Sequence, residues 1–211
     1  MINVHANFQD RDLGSISRDI SALVEKTKTN LPRGVDLQVR GQIQTLDEAF
    51  NGLTWGIIIA VALVYFLVVV NFQSWLDPLI IISALPAALA GIAWMLFLTG
   101  TTMSVPALTG TIMTMGVATA NSILLVSFAR KRLQEGALPS MAALDAATTR
   151  LRPVLMTACA MIAGMLPMAL GLGQGAEQNA PLGRAVIGGL LLATLSTLIF
   201  VPLVFATFHQ F

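Results

Sequence analysis

The sequence predicts a mainly α-helical membrane protein, a polytopic bundle of five transmembrane helices preceded by a small external β-α-β segment. Composition, run length and charge placement all point there. Of the 211 residues, 55% are hydrophobic and 11% charged, with a mean hydropathy of +0.77. A soluble domain carries roughly a quarter charged residues. Five apolar runs each reach the length of about 20 residues that one helical crossing needs. Nearly all the charge is gathered at 9–48 and 129–152. The net charge of +1 gives no footing for nucleic acid. Cys159 is the only cysteine and lies in an apolar run, so no intrachain disulfide can form.

Two domains are expected, residues 1–45 outside the membrane and 46–211 within it. Ile2, Val4, Ala6 and Phe8 alternate with polar residues, as in a half-buried strand. A helix should follow from Asp12 to Asn30, with Ser15 as N-cap. Its apolar face would be Ile16, Ile20, Leu23, Val24 and Thr27. Pro32-Arg33-Gly34 marks the stop, and Val35, Leu37 and Val39 alternate as a second strand. One crossover of this kind implies parallel strands. So short a piece is too small to hold a core alone.

The membrane part begins with Thr45-Leu46-Asp47-Glu48, which fits a capping box. Spans are expected at 53–70, 78–98, 105–128, 153–172 and 184–207. Asp77-Pro78 reads as a cap and first-turn pair opening the second span. Trp55, Trp75 and Trp94 fall near predicted ends, where indole prefers the interface. Pro86, Pro167 and Pro202 fall inside spans, which is tolerated where neighbours satisfy the freed carbonyls. The small pairs Ala84/Ala88, Ala185/Gly189 and Gly171/Gly173 permit close helix contact.

The connection at 129–152 is expected to be a basic cytoplasmic loop. It holds Arg130, Lys131, Arg132, Arg150 and Arg152, five of the twelve basic residues. The short connections near 99–104 and 173–183 hold none. By the positive-inside rule the N-terminus is then outside and the C-terminus cytoplasmic. An external N-terminal segment with no signal peptide needs a preceding span, so the chain reads as the C-terminal part of something longer. Within the loop, Pro139–Thr149 reads either as a short surface helix, with Met141 and Leu144 toward lipid and Asp145 toward water, or as a plain connector.

No catalytic constellation is visible, and neither metal nor cofactor is expected. His5 and His209 lie at opposite ends without ligand partners at metal spacing. There is no phosphate-binding loop, nucleophile elbow or zinc motif. What remains is polarity inside the membrane, which is costly unless it faces protein or water. Gly110, Thr114, Val117 and Asn121 recur at helical spacing on the third span. Arg150, Thr157 and Gly164 recur seven apart along the fourth. For Asn121 the structural alternative is an interhelical hydrogen bond. For Arg150 and Arg152 it is a topology anchor.

The runs NFQSWLDPLIIISALPAALAG, GVATANSILLVSFARKR, RLRPVLMTACAMIAGMLPMALG and QNAPLGRAVIGGLL resemble the last five membrane helices of resistance–nodulation–division efflux permeases. Residues 1–45 resemble the closing β-α-β part of that family's second external porter region. The resemblance implies a trimeric bacterial inner-membrane pump that exchanges protons for drugs or other amphiphilic compounds. It also implies a periplasmic adaptor and an outer-membrane channel as partners. In the family's drug-exporting branch the proton relay joins two acidic residues on the fourth helix to a Lys, an Arg and a Thr. The Arg maps onto Arg150 and the Thr onto Thr157. The Lys position is Ala120 here, whereas the adjoining Asn is kept as Asn121. Thr119 is the candidate substitute donor. The acidic pair belongs to the N-terminal half, which would be the chain's first partner. The competing expectation is a membrane scaffold that reuses these helices without transport. Lipid-exporting or protein-translocating relatives are a more distant third.

Overall fold

The computed structural model describes residues 13–28, 42–172 and 176–209. It divides into two compact units, Met1–Gly52 and Leu53–Phe211. In the first unit lies α1 (Leu13–Lys28). It begins two residues before Ser15, so Ser15 is inside the helix and not its N-cap. Ile20 and Val24 are half-buried while Leu23 is exposed, a narrower face than the sequence pattern drew. Thr27 Oγ1 turns back to donate to Leu23 O at 2.7 Å. Both expected strands, at 2–8 and 35–39, lie outside the described residues. Among the described residues there is no strand.

α2 (Gln42–Phe72) starts before Thr45, so Thr45 does not cap it. From Leu53 on it is apolar all round, as a lipid-facing helix must be. It touches the rest of the second unit along one stripe, Ile57, Val61, Val64, Val68 and Phe72, spaced three or four apart. The second span is broken into α3 (Leu76–Ile82) and α4 (Leu85–Leu98). Pro86 explains the break, because it has no N–H to give to the carbonyl four residues earlier. Ser83 Oγ donates to Ile80 O within the gap.

The expected basic loop is not a loop. α5 runs from Val105 to Gln134, and α6 runs from Pro139 to Ala169. Only a short turn at Glu135–Leu138 separates them, with Gly136 at φ +93° where a side chain would be strained. Pro139 occupies the first turn of α6, where no N–H is missed. Residues 139–149 are therefore the first turns of a transmembrane helix and not a separate surface helix. Met141 and Leu144 are exposed.

The last span comprises α7 (Ala176–Leu195), a π-helical turn at Ser196–Phe200 and α8 (Val201–His209). Val201 N–H donates to Ser196 O, five residues back. Pro202 accounts for this, since a regular α-turn would drive its ring into the carbonyl of Leu198. α7 is the central helix of the unit. It meets α4, α5 and α6 where side chains are absent. Gly91 and Gly188 lie backbone to backbone. A Cβ on Gly110 would stand 2.8 Å from Leu182 O, and one on Gly183 2.7 Å from Ala169 N. One on Gly189 would stand 2.5 Å from Thr114 Cγ2. Such contacts substitute for the hydrophobic drive that lipid removes.

α2–α3, α5–α6 and α8 close one end of the second unit, termed here the basic end. Val68, Ile80, Leu125, Ala146, Val201 and Phe205 form its buried core. At the other end, Arg184 Nε donates to Ala169 O at 3.0 Å and Nη1 to Thr101 Oγ1 at 2.6 Å. That one side chain binds the end of α6 to the α4–α5 connection.

Glycine packing makes a direct prediction. Gly188→Ala should lower stability by about 1–3 kcal/mol, because the methyl meets Met95 Cβ and the Gly91 carbonyl. Gly164→Ala meets nothing within 4 Å and should be neutral or stabilising by up to about 1 kcal/mol. Thermal unfolding of both variants in detergent reads the difference.

Candidate functional site: an open helix face and a closed polar cluster

The sequence-predicted relay positions fall mostly on faces that nothing else in the unit covers. On α5, Ala120 and Gly116 are exposed and Asn121 is half-buried. On α6, Thr157 and Gly164 are exposed. A Cβ at Gly116 or Gly164 would meet no atom within 4 Å. Thr157 Oγ1 donates to Val154 O at 2.9 Å, which bonds the hydroxyl hydrogen but leaves oxygen lone pairs.

Arg150 stands near the start of this face. Its guanidinium carbon lies 5.7 Å from the centre of the Phe128 ring. Arg132 lies at the same 5.7 Å from that ring. Arg150 Nε is buried and has no hydrogen-bond partner among the described residues. It is thus a cation held by an aromatic face with donor capacity to spare.

Thr119 is placed differently. It is buried, and its hydroxyl donates to Met115 O at 2.8 Å. Ala120 beside it is exposed, so one step of about 100° along the helix separates the two side chains. The third-span stripe also divides. Gly110 and Thr114 are buried against α7, and Thr114 Oγ1 donates to Gly110 O at 2.9 Å. Val117 and Asn121 are only half-buried. Deeper in the unit, Ser122 Oγ and Thr197 Oγ1 pair at 3.3 Å, and Ser196 Oγ is buried without a partner among the described residues.

A second polar arrangement was not anticipated. Asp77, read from sequence as a cap, is 1% exposed, and its carboxylate turns into the protein. The helix starts before it, and Ser74 Oγ instead accepts from Asp77 N–H at 3.4 Å. Arg130 Nη1 meets Asp77 Oδ2 at 2.6 Å and also donates to Phe72 O at the end of α2. Its guanidinium carbon lies 5.7 Å from the centre of the Phe72 ring. His209 Nε2 faces the other oxygen, Asp77 Oδ1, at 3.5 Å. The His209 ring stacks on Phe205 with centroids 4.2 Å apart. So α2, α3, α5 and α8 are tied together at the basic end by one carboxylate. Arg132, by contrast, makes exposed pairs with Glu135 at 3.2 Å and Asp145 at 3.7 Å. The only sequence signal for the cluster was an Asp inside a long apolar stretch.

The whole sequence matches known proteins consistently. Residues 1–209 match the model of the AcrB/AcrD/AcrF family. The chain belongs to this family of resistance–nodulation–division permeases. It is 38% identical over 95% of its length to the nickel and cobalt resistance protein CnrA of Cupriavidus metallidurans. To the cobalt-zinc-cadmium resistance protein CzcA of the same organism it is 35% identical over 99%. The nickel-cobalt-cadmium resistance protein NccA of Alcaligenes xylosoxydans xylosoxydans is 37% identical over 96%. The chain spans 19%, 20% and 19% of these three relatives. Its fold matches the crystal structure of a heavy metal efflux pump with a TM-score of 0.77 at 29% identity. That match covers 96% of this chain and 20% of the other. Family members are secondary transporters of the inner membrane that work as trimers with adaptor and outer-membrane partners. Five helices here are long and apolar enough to cross a membrane. The relatives are named for metals, and none of the three is named for drugs, so the expectation of a drug exporter finds no support in them.

The two kinds of ion pair predict different sensitivities. Asp77→Ala removes the buried partner and leaves Arg130, 29% exposed, with the Phe72 carbonyl alone, and should cost about 1–3 kcal/mol. Glu135→Ala removes a pair exposed on both sides and should cost no more than about 1 kcal/mol. Thermal melts of the purified chain in detergent separate them.

Proposed function

We propose that this chain is the C-terminal membrane part of a proton-driven permease that exports divalent transition-metal cations. The observation that carries the reading is that Thr157 is exposed on α6 and Asn121 only half-buried on α5, with Arg150 about two turns before Thr157 on α6. A cation, an amide and a hydroxyl in that position suit helices bearing carboxylates, which the remainder of the permease would supply. Metal as cargo follows from the resistance proteins it resembles. Among the described residues no group of three His, Cys, Asp or Glu side chains is placed to hold a metal. In this reading cargo binding belongs to the rest of the pump, and these helices serve the proton side.

Arg150 provides fixed positive charge for the carboxylates. Asn121 and Thr157 provide hydrogen bonds that change partners as those carboxylates gain and lose protons. Ala120 removes the second fixed charge of the drug-exporting branch, leaving Arg150 the larger share. Thr119, with its hydroxyl bonded inside its own helix, contributes little to the open face. The basic end is cytoplasmic and the N-terminal segment external. The complete permease is a homotrimer with its own N-terminal half, an adaptor and an outer-membrane channel as partners.

The test uses the complete permease in a host deprived of its own metal exporters. Nickel, cobalt, zinc or cadmium tolerance should rise with the wild type. It should fall to the host's level with Arg150→Ala and fall partly with Thr157→Ala. Ala120→Lys should bring no gain. Protection against amphiphilic drugs without protection against metals would refute the cargo. Cysteines placed singly at Ser17 and Gln134 in a Cys159-free chain test the orientation, with labelling from outside expected only at Ser17.

A further inference from the structure

A hydroxyl inside a membrane helix can bond back into its own backbone. Three buried threonines of α5 do so. Thr111, Thr114 and Thr119 donate to the carbonyl four residues earlier at 2.9, 2.9 and 2.8 Å. Ser122, Ser196 and Thr197 make no such bond among the described residues, though they are only 0%, 8% and 1% exposed. Ser122 Oγ and Thr197 Oγ1 pair at 3.3 Å, longer than the roughly 2.7–2.8 Å usual between hydroxyls. The pair uses one of its two hydroxyl hydrogens and leaves the other spare. The Ser196 hydroxyl has no partner among the described residues. The backbone adds an acceptor. Val201 N–H donates to Ser196 O, so it no longer serves Thr197 O, four residues back. The donor five residues on from Thr197 would be position 202, and a proline has no N–H. Thr197 O therefore lacks both helical donors. Thr197 and Val201, which flank it on one face, are buried, so this carbonyl lies inside the protein. A buried carbonyl without a donor is costly, above all in a membrane.

We propose that one water molecule is bound at this π-turn, between α5 and the last span. It donates to Thr197 O and accepts the spare hydrogen of the Ser122–Thr197 pair. The Ser196 hydroxyl is its third partner, and about three is the usual number for a buried water. A bare cation does not suit the place. Residues 118–126 and 193–205 hold no charged side chain, so an ion would find no counter-charge on either helix. One turn earlier, Ala118 and Ala193 pack together and offer only methyl groups, so they do not compete for the water's bonds. The water supplies the donor that Pro202 withholds, and it links α5 to the last span through a molecule that can exchange. The site belongs to these two helices and depends neither on the cargo nor on the proton relay.

The test is cryo-electron microscopy of the complete permease in nanodiscs, at a resolution that shows ordered water. The wild-type map should hold one isolated density within hydrogen-bond reach of Thr197 O and the Ser122–Thr197 hydroxyls. Pro202→Ala returns an N–H to position 202, so ordinary helical bonding satisfies the free carbonyl and the density should disappear. Ser122→Ala removes a partner without touching the π-turn and should weaken or abolish it. Thr111→Val removes a hydroxyl bonded within its own helix and should leave it unchanged. An empty site in the wild type would overturn the proposal without any variant having to fold. So would a side chain from the rest of the permease filling the place, or a density that persists in Pro202→Ala. A density present in sodium buffer and absent in choline buffer would show a cation there and would equally sink the water. Metal tolerance plays no part in these readings, so they fail or succeed apart from the cargo.

Discussion

Neighbouring helices come into backbone contact with α7 at positions that lack a Cβ. Gly188 and Gly189 admit α4 and α5, Gly110 admits Leu182, and Gly183 admits the end of α6. In a bilayer no water is expelled when apolar helices meet, so close van der Waals contact has to hold them. The rest of the unit depends on this. With α7 held centrally, its continuation through Ser196–Phe200 enters the middle of the basic end. There Phe205 joins the core and His209 reaches Asp77. α2 keeps a single stripe of contact and is otherwise exposed within the unit.

The five spans were legible because a run of apolar residues as long as the bilayer is thick has few other uses. Their ends were not, since hydropathy reports the membrane and not the helix. Arg130, Lys131, Arg132 and Glu135 look like a loop on a hydropathy scale, yet such residues favour helix, and α5 carries on to Gln134. The same blindness placed the caps at Ser15 and Thr45, both inside helices. The relay candidates were read by motif, and the structure separates them. Thr157 is exposed and Asn121 half-buried, while Thr119 is buried with its hydroxyl bonded within α5. Asp77 was misread because its partners, Arg130 and His209, are distant in sequence. No local pattern encodes a contact set by how three helices pack.

The two polar arrangements differ in completeness. The Asp77 cluster closes on itself, save for one carboxylate oxygen. The Arg150 face is unfinished within this chain, with a buried donor unused and glycines that leave room beside them. Polar groups in a membrane are tolerated when they face protein or water. An uncovered set of this kind therefore argues that other helices of the permease cover it. The family match, in which this chain is about a fifth of its relatives, agrees with that reading.

The π-helical turn before Pro202 acts as a phase shifter. One extra residue in that turn sets everything after it back by about 100° relative to an uninterrupted α-helix. Val201, Phe205 and His209 face inward only because of that offset. Were the turn to relax into ordinary helix, the imidazole would swing away and its carboxylate partner would keep Arg130 alone. A proline that looks like a mere irregularity in an oily segment thereby determines which side of the final helix the protein can use.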